Sequence, residues 1–559
     1  MISIDEKIIL SAVRNLPENE AEFNALKRNF IGKNKGATAL PSKTALLTAY
    51  HKLQRAKSIK KNPKLEKILT RRSVRTLSGV TIITSLVKPY PCPGACVYCP
   101  LDVRMPKSYL SEEPAAARAL ALKFDPYKQM VKRLEALENN GHPTDKVELI
   151  VKGGTWNAYP LQYQYWFILE SFRAANGKSP LGRGRGGLAM LKKELIRQQK
   201  LNEKSVHRII GITLETRPDS INEKTLWQMR EQGCTRIELG VQHTDEKILA
   251  LVKRGHTVEQ VKSAMELAKN FGFKVDFHLM PQLPGATPEK DLAMLNEIFE
   301  NPAFRPDMIK IYPCSVVKGS ELYQWFQAGK FHTYPVEELV AILKKFKSLV
   351  PRYARISRLI RDIPGQLIET GNKITNLRQV IQSEMKAEGT FCRCLRCREA
   401  GHVNIKNIKD LSPVLFIEKY EASRGTEYFL SFEDKKRQVV FAFCRLRICD
   451  RPLSNSLLCE GERDATLAST EERAGRGLAY SAFVRELHTY GQLISIGKYD
   501  KASSQHQGLG KKLLKEAEKI AKKNNCEELS VISGVGVRDY YRGLGYRLQR
   551  TYMVKKMDK

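Results

Sequence analysis

The sequence predicts an α/β protein: a partial parallel (β/α) barrel, preceded by a small basic helical module and followed by a second, smaller α/β domain. Three observations carry this reading. Between about residues 79 and 378, short apolar runs alternate with amphipathic segments, as β-α repeats do. Ahead of them, from Lys27 to Arg75, fifteen basic residues stand against one acid, Glu66. After Lys406 the rhythm gives way to hairpin-like runs and then to a glycine-rich turn that opens an amphipathic helix. A chain of 559 residues is too long for one core, and the expected division is 1–80 for the basic module, 81–390 for the barrel, 391–402 for a metal-binding linker and 403–559 for the last domain.

In the first segment, QRAKSIKKNPKLEKILTRRSVR carries helical apolar spacing at Leu65, Ile68 and Leu69. Such a basic helical face suits nucleic acid better than it suits a plain solvated surface. The whole chain agrees: 94 Lys and Arg against 60 Asp and Glu give a net charge of +34. Clustered cations of that number gain affinity by displacing counterions from phosphates. The N-terminus MISIDEK has acids and no apolar core, so no secretory signal is expected. No apolar run approaches a membrane span. Twelve clustered cysteines in such a chain point to metal or cluster ligands in a reducing, cytoplasmic setting, with no membrane partner.

The barrel strands are expected at TIITSLV, KVELIVKGG, RIIGITLE, RIELGVQ, KVDFHLM and MIKIYP. Helical stretches such as EKTLWQMREQG and VEQVKSAMELAKNFG lie between them, the second closed by a glycine. Chemistry then belongs at the C-terminal strand ends. The run SPLGRGRGGLAMLKKELIRQQK interrupts the rhythm and reads as a surface insertion. Arg352, Arg355, Arg358 and Arg361 recur every third residue and read as a phosphate-holding stripe on a helix. In the last domain, EYFLSFED and RQVVFAFCRLRI read as a hairpin and SAFVRELHTYGQLISIG as a further strand, with the polar Asp450–Gly477 stretch as a loop.

Chemistry concentrates in three places. KPYPCPGACVYCP sets Cys92, Cys96 and Cys99 in a C-x3-C-x2-C array just after the first strand. A zinc site or an ordinary iron–sulfur cluster takes four ligands, so three thiolates on a four-iron cluster leave one iron open to another ligand. Later strand ends carry polar groups: Lys152, Gly153, Gly154 and Thr155 in KGGT, Glu215 and Arg217 in LETRPD, and Gln242 in GVQ. A ligand's polar end and plain structural ion pairs both remain open for these. Near the C-terminus, QHQGLGKK places Gln505, Gln507, Gly508, Leu509, Gly510 and Lys511 at a helix start, where backbone N–H groups bind pyrophosphate. In GTFCRCLRCREAGH, Cys392, Cys394 and Cys397 suit structural zinc, with His402 or Cys314 as fourth ligand.

The C-x3-C-x2-C array with Tyr98 before its last cysteine resembles the radical S-adenosylmethionine (SAM) enzymes. That resemblance implies a [4Fe-4S] cluster whose open iron holds SAM, with KGGT matching the family's motif for the methionine amino group. The C-terminal order of strand, glycine turn, helix, LSVISGV and DYYRGLGY resembles the acetyl-CoA fold of GNAT-type N-acetyltransferases. Together with ETRPD, RGHT, KIYP and RDIP, these motifs resemble the catalytic third subunit of Elongator, of archaeal or bacterial type. The resemblance implies an enzyme that uses acetyl-CoA and a SAM-derived 5'-deoxyadenosyl radical to place a carboxymethyl group at C5 of the wobble uridine. Its partner would be the tRNA anticodon stem-loop, met as a homodimer or alone, without other Elongator subunits. For the thioester, Glu486 and His488 share a strand face as a base or water-positioning pair. Tyr540 and Tyr541 would stand near the sulfur, and Lys152 could hold the carbonyl oxygen. Two other readings stay open: a protein lysine acetyltransferase with a structural cluster, and a non-enzymatic tRNA scaffold.

Overall fold

The computed structural model describes residues 2–33, 40–70, 79–182, 184, 186–401, 412–449, 481–490 and 508–557. Its central sheet has seven strands in strict chain order: β1 Thr81–Leu86, β2 Lys146–Lys152, β3 Arg208–Thr216, β4 Arg236–Gln242, β5 Lys274–Leu279, β6 Met308–Ile311 and β7 Arg355–Arg358. Every adjacent pair is parallel. Among the described residues nothing pairs β1 with β7, so the barrel is partial and open along one side.

The strand sequences explain the two faces. In β2 the residues Val147, Leu149 and Val151 are buried in the main core, whereas Glu148, Ile150 and Lys152 face a central cavity. In β5 the core takes Val275, Phe277 and Leu279, and the cavity takes Asp276 and His278. A period of two sends alternate side chains to opposite faces. Here the outer face packs under helices and the inner face is polar, unlike the branched apolar filling common in closed barrels. The crossover helices are locally determined. Helix Val258–Asn270 begins with a capping box of Thr257 and Gln260 and buries Val261, Ala264, Met265 and Ala268. Gly272, at φ +81°, ends it, and a Cβ there would stand 3.1 Å from Phe483 of the last domain.

Two expectations are corrected here. The arginine series is not a helical stripe: Arg355–Arg358 is the seventh strand, and its length of four residues hid it. Arg352 donates to Arg437 O at 2.7 Å, Arg355 pairs with Glu399, Arg358 with Asp362 at 2.5 Å and Arg361 with Glu113 at 2.8 Å, so the set is engaged internally. The supposed surface insertion is half core, because its Leu188–Asn202 part is a helix that buries Leu191 and Leu195.

The last domain is a second seven-stranded sheet: β8 Val414–Glu421, β9 Gly425–Glu433, β10 Val440–Cys449, β11 Ser481–Thr489, β12 Glu528–Val531, β13 Arg547–Gln549 and β14 Tyr552–Lys556, in the order β8-β9-β10-β11-β12-β14-β13. Only β11 and β12 run parallel, and their pairing ends at Val484 and Val531. There β12 ends, while β11 runs on against β10 to Thr489. Helix Leu509–Lys523 lays Leu513, Leu514, Ala517 and Ala521 on it. The Asp450–Gly477 stretch lies outside the described residues.

This domain docks on the N-terminal rim of the barrel through buried charges. Arg485 donates to Asp307 at 2.7 Å and to Glu427 at 2.9 Å, and Arg447 pairs with Glu427 at 3.0 Å. Arg445 reaches Glu486 at 2.9 Å and Tyr353 O at 2.7 Å. At the other end of the chain, helices Ile4–Arg14, Glu20–Lys33, Lys43–Arg55 and Pro63–Leu69 close around Ile8, Ile9, Phe23, Leu46, Tyr50 and Leu65 as a separate small core. Its Arg55, Lys57, Lys60 and Lys67 are exposed. Among the described residues no helix is long and apolar enough to cross a membrane.

Candidate active site

One cavity of about 1070 Å³ runs from the cysteine loop at the C-terminal strand ends, through the polar barrel interior, to β11 and the end of β12 in the last domain. Cys92, Cys96 and Cys99 line one end, and Glu486, Leu487, His488 and Tyr541 line the other. Small-molecule pockets span roughly 300–1,000 Å³, so this one stands at the top of that range. Its walls include both unpaired edges, β1 and β7, and Arg118 and Arg133 of the helices Pro114–Ala121 and Pro126–Glu138.

At the upper end, Cys96 Sγ lies 3.5 Å from Arg254 Nη1, and Cys92 Sγ lies 3.6 Å from Thr155 Oγ1. A hydrogen bond with Cys99, and then the Arg254 charge, hold the Cys96 thiol down at about 4 against its burial. The KGGT turn reaches this loop because Gly153 (φ +132°) and Gly154 (φ +90°) adopt backbone that side chains avoid; a Cβ on Gly153 would meet Val87 Cγ2 at 2.3 Å. Arg217 packs so closely on Gly94 that a Cβ there would stand 2.2 Å from its Nη1. That Nη1 and the Tyr98 hydroxyl are buried without a hydrogen-bond partner. Gln242 holds φ +73° at a register break in β4, a strained geometry typical of ligand sites. Three thiols beside an orphaned guanidinium nitrogen fit a cluster whose open iron carries a ligand with a carboxylate. Glu215 and Arg217 are not bonded to one another: Arg217 is bidentate to Asp219 at 2.9 and 2.8 Å.

The interior carries a charge network that the strand ends alone did not announce. Glu238, fully buried, pairs with Lys152, Lys310 and, at 2.9 Å, His278 Nε2. Glu215 reaches Lys152 and His278 Nδ1 at 3.4 Å each and accepts from the Tyr109 hydroxyl at 3.4 Å. Burial favours the neutral forms, yet Lys152 overcomes it and brings Glu215 down to about 2. Lys152 itself would fall on burial, but Glu215 and Glu238 hold it well above its ordinary value. Burial lowers Lys310 to about 8 despite Glu238. Lys152 therefore faces the cavity as a doubly paired ammonium.

At the lower end, Glu486 is bound by Arg445 at 2.9 Å and Lys274 at 3.5 Å. Burial would raise its pKa, but Lys274 and Arg445 bring it to about 2, so its charge is engaged by these two cations. His488 shares its face, stacks on Phe443 at 5.8 Å, and is held toward the neutral form by burial. Gly508, at φ +70°, starts helix Leu509–Lys523, and a Cβ on Gly510 would stand 3.2 Å from the Tyr540 hydroxyl. Leu509 is buried on the sheet. Tyr540 is 40% exposed beside this turn, whereas Tyr541 is buried against Tyr546. Lys511 follows in the helix's first turn, and Gln505 and Gln507 lie outside the described residues.

Cys392, Cys394 and Cys397 bring their sulfurs within 4.8 Å of one another, the only such set among the described residues. That spacing suits a single ion. Gln382 Nε2 stands 3.3 Å from Cys397 Sγ. Cys314 is not part of this set; it is packed with Val97, Val316 and Leu322 under the other cysteine loop. His402 lies outside the described residues.

The chain matches the Radical SAM superfamily over residues 90–298, the Radical SAM C-terminal domain over 306–387 and the acetyltransferase (GNAT) family over 409–546. It is 42% identical over 501 residues to a tRNA uridine(34) acetyltransferase of Methanocaldococcus infernus, covering 88% of each chain. It is 38% identical over 502 residues to Elongator complex protein 3 of Homo sapiens, covering 88% of this chain and 86% of the relative. Among solved structures, the archaeal Methanocaldococcus infernus Elp3 with an N-terminal deletion superposes with a TM-score of 0.70 at 39% identity, covering 86% of this chain and all of that one (100%).

Proposed function

This chain belongs to the family of Elongator complex protein 3 and the tRNA uridine(34) acetyltransferases, and on that premise we propose that it places a carboxymethyl group, drawn from acetyl-CoA, at C5 of a tRNA wobble uridine. The cavity that joins the cysteine loop to β11 of the last domain carries this reading, because it gives both cofactor ends one reaction chamber. Cys92, Cys96 and Cys99 would hold a [4Fe-4S] cluster, which with SAM bound would supply a 5'-deoxyadenosyl radical able to take hydrogen from the acetyl methyl.

The chain's own residues do the rest. Arg217 Nη1 offers its free N–H to the carboxylate of SAM, while the KGGT turn and Gln242 border the same ligand. Backbone N–H groups at Gly508–Lys511 hold the pyrophosphate of acetyl-CoA. The gap between β11 and β12 admits its arm, and Tyr540 stands beside the phosphate turn. His488, neutral and cavity-facing, is the remaining candidate to accept a proton from water at the thioester, with Glu486 holding β11 to the barrel through Lys274. Lys152 is placed to meet the acetyl oxygen only as part of its pair with Glu215 and Glu238. The exposed cations of the N-terminal module hold the anticodon stem-loop. Cys392, Cys394 and Cys397 hold a zinc ion that fixes the segment between the two domains, with His402 as the candidate fourth ligand. The test is nucleoside mass spectrometry of tRNA after anaerobic incubation with reductant, SAM and acetyl-CoA. New carboxymethyluridine is expected from a tRNA with U34 and none from the same tRNA with C34; acetyl-lysine with unmodified tRNA would overturn the reading.

A further inference from the structure

Asp276 is an unusual polar group in the barrel. It sits in the middle of β5, is 0% exposed, and neither carboxyl oxygen has a hydrogen-bond partner. Its register neighbours are Glu238 on β4 and Met308 on β6, and it lines the cavity between the two cofactor ends. A buried carboxyl group with no partner is costly to a fold. Other buried carboxylates of this chain avoid that cost: Asp307, Glu427 and Glu238 are all ion-paired. Burial also raises the Asp276 carboxyl from its ordinary value, favouring its neutral form, and the facing Lys310 does not cancel the effect. Arg236 Nε and Ser357 Oγ, which face the same cavity, likewise lack partners. These groups are shaped to be completed by a ligand that brings its own donors and acceptors.

A uracil ring is such a ligand. Its N3–H and O4 form a donor–acceptor pair that matches the two edges of one carboxyl group. We propose that Asp276 reads the uracil of the substrate nucleotide: one carboxyl oxygen accepts N3–H and the carboxyl O–H donates to O4. This rests on the proposal that the substrate is a tRNA uridine and names the residue that recognises it. The base enters sideways, between the unpaired edges of β1 and β7, where the cavity meets Arg118 and Arg133. Enzymes that act on a base commonly read its Watson–Crick edge in this way.

The experiment compares wild type, Asp276→Asn and Asp276→Leu as full-length reconstituted enzymes. An amide carries the same donor–acceptor pair as a carboxylic acid, so Asp276→Asn should modify U34 within about tenfold of wild type. Asp276→Leu should lose at least ~100-fold of modification, in line with sites that reject partners lacking a required hydrogen bond. Its melting temperature should stay equal or rise, because an unpartnered polar group has been removed, and its tRNA affinity should hold within about threefold. Wild type should also refuse a tRNA carrying 3-methyluridine at position 34. A lower melting temperature for Asp276→Leu would make the residue structural. Loss of activity in Asp276→Asn would make it a proton carrier, and turnover of the 3-methyluridine tRNA would remove the reading role altogether. Any of these overturns the inference while leaving uridine modification intact, whereas a wild type that modifies no tRNA fails the parent reading and this inference with it.

Discussion

Replacing Asp307 with alanine tests whether buried charge holds the two cofactor domains in one frame. The carboxylate is 0% exposed and accepts from Arg485 at 2.7 Å, from the Val275 backbone N–H at 3.0 Å, and lies 3.5 Å from Arg445. Alanine would leave Arg485, itself fully buried, with Glu427 as its remaining carboxylate, and would leave Arg445 with Glu486. Removing one partner of a buried pair costs about 3–5 kcal/mol, because the other charge stays buried. The midpoint of the transition should fall by that loss divided by the measured urea slope, which grows with the surface exposed on unfolding. The assay is urea unfolding followed by circular dichroism, with Asp307→Ala, Arg485→Met and the double variant in parallel. The double variant should cost less than the sum of the singles, since it removes both charges. A loss below about 1 kcal/mol for Asp307→Ala would refute the idea that this network secures the domain interface.

Gly510→Glu should raise the acetyl-CoA dissociation constant at least tenfold by filling the space beside the Tyr540 hydroxyl and setting a carboxylate against pyrophosphate; calorimetric titration checks it. Glu486, with its folded pKa depressed to about 2, lends stability that is complete above its unfolded pKa and is lost as pH falls through roughly 4.5 to 2. The linked contribution is about 3 kcal/mol, so an acid titration of wild type should show a loss that Glu486→Gln lacks. For tRNA, replacing Arg55, Lys57, Lys60 and Lys67 should flatten the log–log salt slope by roughly 0.9 for each phosphate no longer neutralised, whereas replacing Arg358 should change it little, since Asp362 already holds that arginine; filter binding across salt concentrations reads both.

Six of the seven barrel strands were legible as apolar runs, and the seventh was not, because RISR offers a single buried apolar residue, Ile356. The three-residue spacing of its arginines imitates a helix, yet each guanidinium is directed by a different partner in space. The cysteine loop, the KGGT turn and the Gly508–Gly510 turn were readable because each rests on local backbone chemistry. The interior network was missed, although a signal was present. Strands covered on both faces should be apolar at every position, but KVELIVK, RIELGVQ and KVDFHL place charge or histidine at alternate positions, which marks an inner face turned to ligands. Glu486 shows the opposite failure. Strand alternation placed it correctly on the cavity face, but only the fold reveals that Arg445 and Lys274 consume its charge. Arg254 opens the RGHT motif, but only the fold shows that it meets Cys96 from a distant turn.

The central claim is that one cavity brings a SAM-derived radical and an acetyl group together on a uridine. It is tested most directly by supplying acetyl-CoA deuterated at the acetyl methyl, with SAM, reductant and tRNA, and weighing the 5'-deoxyadenosine released. Deuterium should appear in that nucleoside with wild type, and Cys96→Ala should release none of it; 5'-deoxyadenosine free of deuterium, formed while the tRNA gains its modification, would contradict the account.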